Sequence, residues 1–421
     1  MSSTSTSAPP TPDDPRVPLG PRNGSAVFLV SLAGLMLANL APLIMSVFEQ
    51  IGFDIVASGN LLTWGLFTSA IIGLVTSRAA AGARRRTIAG SGLGIATIAF
   101  LVAALVTGPT GLIVISFLLG SAGLGAAVST SGAAIAALRN PNRVSASSGV
   151  VNRLLVMVVL AVIPALGLAQ ITVFGSLALL SLISLAVTIW LPNTPEASTA
   201  EVLAETTADT TPSSNRPRTP RAVLLAGIGV LIVFPLWGTS EDSVWTLAPT
   251  LGDAVGMTDQ TLGFALSAAA GIGAGAMLVV ILLGSRIGRA LPLGIALALG
   301  GAIKIWIGVE TDPAMLAILI IAVNTIYAFA FTLFIATAAG LDARGNWSGP
   351  LIGAYIVGSS FAPIIGAWII DGVGIPSFGL IVGLVSVALI IPTMLIARVS
   401  SRVEKTLNSL DEAAETHERT S

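Results

Sequence analysis

The chain has no cysteine and a single histidine, His417, in a polar C-terminal stretch. Disulfides and thiolate metal sites are therefore excluded, and zinc catalysis or a Ser–His pair lacks its parts. Charge is nearly as scarce. Only 10% of the 421 residues are Asp, Glu, Lys or Arg, against about 25% in a soluble domain. Net charge is −1, so no bulk field points to nucleic acid. What remains is apolar: 54% of residues are hydrophobic, with a mean hydropathy of +0.91. So few charges cannot cover a water-exposed surface, and the chain must be solvated by lipid. The opening MSSTSTSAPPTPDDPRVPLGPRNGS lacks the basic start and short apolar core of a cleaved leader. It is expected to be a disordered tail.

About twelve runs approach the ~20 apolar residues of a membrane span. They lie near 26–48, 58–77, 88–107, 111–137, 147–168, 171–191, 221–243, 260–283, 290–309, 314–338, 348–370 and 376–397. The polar, Pro/Thr-rich stretch 192–220 divides them six and six and reads as a flexible linker. The predicted organisation is a tail (1–24), a first six-helix bundle (25–191), the linker (192–220), a second bundle (221–398) and a C-terminal tail (399–421). Basic residues follow every second span: Arg78 with Arg84, Arg85 and Arg86, then Arg139 and Arg143, the linker, Arg286 and Arg289, Arg344, and finally Arg398 and Arg402. The opposite loops carry acids such as Glu49, Asp54, Asp253, Glu310 and Asp312. By the positive-inside rule, the basic face and both termini are cytosolic. The expected location is the cytoplasmic (inner) membrane of a bacterium, with membrane lipid as a partner.

Topology alone does not account for repeated spellings. Ser77-Arg78 recurs as Ser285-Arg286, each after the second span of its half. Ser148-Gly149 and Pro164–Gly167 recur as Ser348-Gly349 and Pro363–Gly366, about 200 residues on. Such echoes indicate two related halves. Gly73, Arg78, Gly82, Arg84 and Arg85, and then Ser285-Arg286-Ile287-Gly288-Arg289, resemble the two interhelical motifs of the major facilitator superfamily, with Ser where that family has Asp. The resemblance covers roughly 25–398. It implies an all-α integral membrane fold of twelve helices in two pseudo-symmetric six-helix bundles. It also implies a basic-face latch between the bundles, with Arg78, Arg84, Arg286 and Arg289 as gating candidates. The family's membrane Arg in span 4 is absent, and span 5 keeps only Pro164 and Gly167 of an antiporter signature. Both departures count against proton-driven drug antiport.

The resemblance places spans 1, 4, 7 and 10 around a central cavity, where polar side chains are costly unless they serve a site or a neighbouring helix. Candidates for substrate contact are Asn39 (span 1), Trp237 (span 7), Asn324 and Tyr327 (span 10). Two cations join them. Arg153 either snorkels to the cytosolic interface or faces the cavity. Lys304 either faces the cavity or pairs with Glu310 or the outer headgroups. No acid is expected in the middle of a span, so the cavity field should be positive. Glu49 and Glu241, read as the outer ends of spans 1 and 7, are the coupling candidates. The predicted function is secondary active transport of a small organic solute, anionic or neutral amphipathic, by alternating access and coupled to protons. The alternatives are an efflux antiporter of drug-like compounds and a transport-inactive sensor or scaffold. No enzyme, cofactor, metal or nucleic-acid partner is expected, and the protein is expected to be a monomer.

Overall fold

The computed structural model describes residues 17–139, 141–192, 221–283, 288–341 and 347–420. Residues 1–16 of the expected tail, 193–220 of the expected linker, Ser285, Arg286 and Arg344 lie outside the described residues. Span 1 comprises two helices, Pro21–Asn39 and Ala41–Gln50, broken at Leu40. Spans 2 to 6 are Ile55–Ala81, Arg85–Leu105, Thr110–Ala136, Pro141–Leu166 and Gln170–Val187. Span 7 is again broken, into Arg221–Thr246 and Ala248–Ala254. Spans 8, 9 and 10 are Asp259–Leu283, Ala290–Ile307 and Pro313–Ala339. Helices Ser348–Ser360, Ala362–Ala388 and Ile390–Thr420 complete the chain. In lipid every backbone polar group must be satisfied within the protein, which is why apolar runs of this length close into helices.

Eleven stretches are long and apolar enough to cross a membrane, the last being Pro350–Glu404 with 55 residues. A straight helix of that length would span about 80 Å, against a hydrocarbon core of about 30 Å. The chain instead reverses at Gly374, whose φ of 82° is left-handed and favours glycine. The ring of Phe378 lies 3.3 Å from where a Cβ on Gly366 would sit. A continuous helix would hold those residues about 18 Å apart. The stretch is therefore a hairpin, spans 11 and 12, and the described residues make twelve crossings.

The acids of the non-basic face have a local purpose. Asp54 caps span 2 by accepting from the Ala57 N–H at 2.7 Å, and Asp312 caps span 10 by accepting from Met315 at 2.7 Å. A carboxylate there also meets the positive end of the helix dipole.

The two halves meet along spans 2 and 11 and along spans 5 and 8. A Cβ on Gly59 of span 2 would sit 2.9 Å from the carbonyl oxygen of Pro363 in span 11. The related contact joins Gly263 of span 8 to Pro164 of span 5, at 2.5 Å to the proline ring. One apolar core runs through the first half and into the acidic-face portions of spans 7, 8 and 10. A second core, around Phe234, Leu293, Phe334 and Leu351, is confined to the second half. The Glu49 carboxylate accepts from Thr250 Oγ1 across the halves at 3.3 Å. The molecule is thus sealed at its acidic face.

Two expectations change. The first helix starts at Pro21, within the stretch read as tail, because Pro at its first position suits a helix start. Span 7 continues past its break to Ala254, so Glu241 and Asp242 sit well inside the span and not at its end.

Candidate functional site

Span 5 begins at Pro141, so Arg153 lies near mid-helix, about 18 Å from its start. It does not snorkel to the interface. Its Nη1 donates to Asn324 Oδ1 at 3.0 Å, and its guanidinium sits 5.5 Å from the centroid of the Tyr327 ring. One cation from the first half thus meets two side chains of span 10 by a charge-assisted bond and a cation–π contact. Trp237 of span 7 stacks on the other side of this wall, its ring 5.4 Å from that of Tyr327. Trp237 is buried against Phe234 and Phe334. The structure therefore brings together Arg153, Trp237, Asn324 and Tyr327. Asn39 lies at the break in span 1, and its Nδ2 is buried with no hydrogen-bond partner. Asn152 Oδ1, beside Arg153, is likewise buried and unpartnered. Such orphaned polar atoms are uncommon, and a ligand or an ordered water is the usual remedy.

Lys304 is fully buried and paired, but not with Glu310. Its ammonium donates to Glu241 Oε1 at 2.8 Å, Ser240 Oγ at 2.7 Å and Ser386 Oγ at 2.5 Å. All three of its hydrogens are used. Ser240 passes the chain on by donating to the Val382 carbonyl at 2.8 Å. Spans 7, 9 and 12 are thereby stapled by one ion pair. Glu310 instead accepts from Trp306 Nε1 and from the backbone N–H groups of Thr311 and Asp312. Those donors hold its exposed carboxyl below the ordinary glutamate range.

Asp242, one residue on, has a different setting. Tyr355 Oη donates to its Oδ2 at 2.7 Å, and Ser359 Oγ donates to the same oxygen. Tyr327 and Tyr355 lie 2.6 Å apart, oxygen to oxygen. Because Tyr355 gives its hydrogen to Asp242, Tyr327 is the donor to Tyr355. Glu241, Asp242, Asn324 and Tyr327 line a cavity of about 10 Å³, room for about one water. The expectation of an acid-free midspan is thus overturned. Two carboxylates balance two cations here, and the site has no net positive charge.

Sequence reasoning passed over Tyr355 and Ser359, and it set Asp242 with Glu241 at the outer end of span 7. Two signals were present. The chain has two tyrosines in all, and they bond each other. Leu40-Ala41-Pro42 recurs as Leu247-Ala248-Pro249, 207 positions on, and both mark the break in a span. That register places Glu241 and Asp242 before the break, within the span.

At the basic face, Arg78 and Arg84 are exposed. The described bonds come from their neighbours. Arg85 is buried and donates to the carbonyls of Ala80 and Pro192, at 3.0 and 2.6 Å, while Arg86 donates to Leu191 at 2.9 Å. Arg289 donates to Ser400 and Glu404, both at 2.9 Å. Each of these contacts stays within its own half and does not latch one half to the other, because the carbonyls and the acid within reach belong to that half. Glu49 is half-buried at the acidic face.

The family model described as Major Facilitator Superfamily matches residues 26–345. No curated protein matches the sequence. Among solved structures, a D-xylose–proton symporter superposes with a TM-score of 0.66 at 16% identity, covering 88% of this chain and 97% of that one. A peptide transporter, POT, bound to sulfate gives 0.67 at 14% identity, covering 92% and 98%. The human organic anion transporter MFSD10 (TETRAN) gives 0.62 at 17% identity, covering 90% and 100%. Twelve crossings, pseudo-symmetric interhelical contacts and a family match over most of the chain lead to one conclusion: this multi-pass membrane protein belongs to the major facilitator superfamily of secondary transporters.

Proposed function

We propose that the protein moves a small organic solute, anionic or neutral with strong acceptor groups, across the membrane by alternating access coupled to protons. The single observation carrying this reading is Arg153. It is a half-buried cation supplied by the first half, and Asn324, Tyr327 and Trp237 of the second half gather about it. A solute acceptor replacing Asn324 Oδ1 at the guanidinium would gain a charge-assisted bond, worth about 1.5–3 kcal/mol. Trp237 and Tyr327 supply a flat apolar wall for the solute body. The unpartnered Asn39 Nδ2 and Asn152 Oδ1 are further contacts in the first half. Because solutes as unlike as a sugar, peptides and organic anions are named for the structural neighbours, the substrate class has to be read from the site.

Contact between the halves at the acidic face, through Glu49 and Thr250, supports a state closed on that side and open toward the basic side. With the basic face cytosolic, in the cytoplasmic membrane of a bacterium, this is the inward-facing state of a transporter working as a monomer. Arg85 and Arg86 in one half and Arg289 in the other rigidify the ends that rock apart. Arg78 and Arg84 are free to meet lipid headgroups or, in the opposite state, the other half.

The test is proton movement in proteoliposomes, reported by an internal pH dye. Two panels are added: small carboxylates with amphipathic anions, then lipophilic cations. A signal with the anions, lost in Arg153→Gln, is the expected result. A signal confined to the cations overturns the reading in favour of drug efflux. Silence with both panels overturns coupled transport of these classes.

A further inference from the structure

At the basic face of the first half lies a recess that the solute site does not use. Its volume is about 740 Å³, within the range of small-molecule sites, against about 10 Å³ for the cavity beside Asp242. Span 1 supplies Arg22, span 3 supplies Arg86, and Ile189 and Trp190 close the far side just past the end of span 6. Among the described residues, no Asp or Glu lines it.

Both cations are held in place with donors to spare. Arg86 spends its Nε on the Leu191 carbonyl at 2.9 Å, and its two Nη groups have no hydrogen bond among the described residues. Its neighbour Arg85, by contrast, is buried and commits both Nε and Nη1 to carbonyls. Arg22 lies in the first turn of span 1, exposed, and its guanidinium has no partner among the described residues. The turn that presents it is fixed. Asn23 Nδ2 donates to the Pro18 carbonyl at 2.8 Å, and its Oδ1 accepts from the Gly20 N–H at 2.6 Å. Val17 is tied in turn to the end of span 4, through backbone bonds with Ala137 and Arg139 at 3.0 and 2.9 Å.

The second half shows what such a cation meets. Spans 3 and 6 correspond to spans 9 and 12 in the two-half register. Arg289, just before span 9, is answered by Glu404 on the helix that continues span 12, at 2.8 Å. Arg86, at the start of span 3, faces the end of span 6, where the chain supplies Trp190, Leu191 and Pro192 and no acid. Two like charges around one recess repel unless an anion arrives from outside. The membrane surface supplies one at this level. Trp190 sits at the end of an apolar span, where aromatic rings meet the headgroups. Leu179, Leu182 and Ile189, three and seven residues apart, form an exposed apolar strip from the recess down span 6.

We propose that this recess binds the phosphate of an anionic membrane phospholipid, bridged by Arg22 and Arg86, with an acyl chain along the span 6 strip. The phosphate takes the place that Glu404 has in the second half. Guanidinium forks match phosphate oxygens two at a time, and basic pockets between spans at the membrane surface suit lipid headgroups. Every residue of the site belongs to the first half, so the lipid ties the start of span 1 to spans 3 and 6 and stabilises that bundle as a unit.

The test titrates the full-length protein in detergent with phosphatidylglycerol and counts bound lipids by native mass spectrometry. One lipid should bind well ahead of the rest. Arg22→Gln and Arg86→Gln should each weaken that first binding about tenfold or more, the loss of one charged hydrogen bond. The double variant should lose less than the product of the two, because both arginines hold one phosphate. Arg22→Gln should keep the lipid-free Tm of the unmodified chain, so that its weaker binding is not unfolding. Arg398→Gln, which removes an exposed basic-face cation of the second half, should bind the lipid as the unmodified chain does. Phosphatidylcholine, whose headgroup has no net charge, should bind at least about tenfold more weakly. Unchanged binding in both Arg22→Gln and Arg86→Gln, an equal loss in Arg398→Gln, or equal binding of phosphatidylcholine overturns the inference. Glycerol 3-phosphate competing as tightly as the lipid would assign the recess to a soluble phosphate ester and overturn its lipid occupant.

Discussion

Spans 1 and 7 break at the same three letters, Leu-Ala-Pro, 207 positions apart. In that register Glu241 and Asp242 of the second half correspond to Gly34 and Leu35 of the first. Gly34 packs so tightly on span 4 that an added Cβ would sit 2.8 Å from Val128. Where one half brings helices together with a glycine, the other does so with a buried ion pair. The first half's aromatic cluster, Phe48, Phe100, Phe117 and Phe174, is purely apolar. The second half's cluster ends in two tyrosine hydroxyls aimed at a carboxylate. The Pro–Gly contacts between the halves, by contrast, come in a matched pair. On the proposed function, the parts that rock are symmetric and the parts that meet the solute are not. The first half contributes Arg153 with the unpartnered Asn39 and Asn152, and the second half contributes the aromatic wall and the buried acids.

The largest effect should come from breaking the staple. Lys304→Met leaves Glu241 buried without a partner, and losing one side of a buried pair costs about 3–5 kcal/mol. We expect a large fall in Tm and in the monodisperse yield from detergent. The double variant K304M/E241Q should recover most of the loss, since a neutral pair has little to desolvate. If the single variant is as stable as the double, the second half's ion pair is no more structural than the first half's glycine, and the contrast fails.

Next comes the one charged residue on the first half's side of the site. Arg153→Lys keeps the charge but loses the planar fork that reaches Asn324 while lying over Tyr327. Apparent affinity in the proteoliposome assay should fall about ten- to hundredfold, the range of a charged hydrogen bond. An unchanged KM would show that solute recognition belongs wholly to the second half.

A third pair tests the symmetric part. Gly59→Leu and Gly263→Leu each thrust a side chain into the facing proline helix, and overpacking of this kind costs about 1–3 kcal/mol. The cost falls on the state sealed at the acidic face. Both variants should therefore lengthen, by similar amounts, the distance between spin labels on Gln50→Cys and Ala254→Cys, exposed ends of spans 1 and 7 in a chain with no other cysteine. Opposite responses from the two would show that the halves are not mechanically alike.

Much of this molecule was readable before any coordinates. The all-helical membrane fold and its spans follow from the apolar runs, because lipid leaves so few ways to satisfy a backbone. Arg153, Trp237, Asn324 and Tyr327 stood out because polar groups at mid-depth are expensive. Asp242 was hidden by a boundary. Thr246 and Asp253 make the end of span 7 look polar, so the span was closed near residue 243 and its acids were read at its outer end. Lys304 was misassigned for a related reason. Glu310 is its neighbour along the chain, whereas Glu241 reaches it through tertiary packing, which spacing within one helix cannot express.

That mistaken partner supplies the smallest effect. Glu310 is exposed, and its carboxylate accepts from Trp306, Thr311 and Asp312. Those bonds favour the ionised form, so its folded pKa lies below the unfolded one. The sign follows: its contribution is present above the unfolded value of about 4.3 and lost as pH falls through the lower folded value. In the neutral range, where that contribution is present but screened by water, Glu310→Gln should lower Tm only slightly and leave transport unchanged. Below pH 4, the unmodified chain should show a change in Trp306 emission as the Nε1 bond to the carboxylate is lost, and Glu310→Gln should abolish that step. A collapse of the protein on losing Glu310, matching that on losing Lys304, would mean that the loop acid shares the ion pair after all. The second half's charge would then be spread between its core and its surface, and the contrast with the first half would be one of degree.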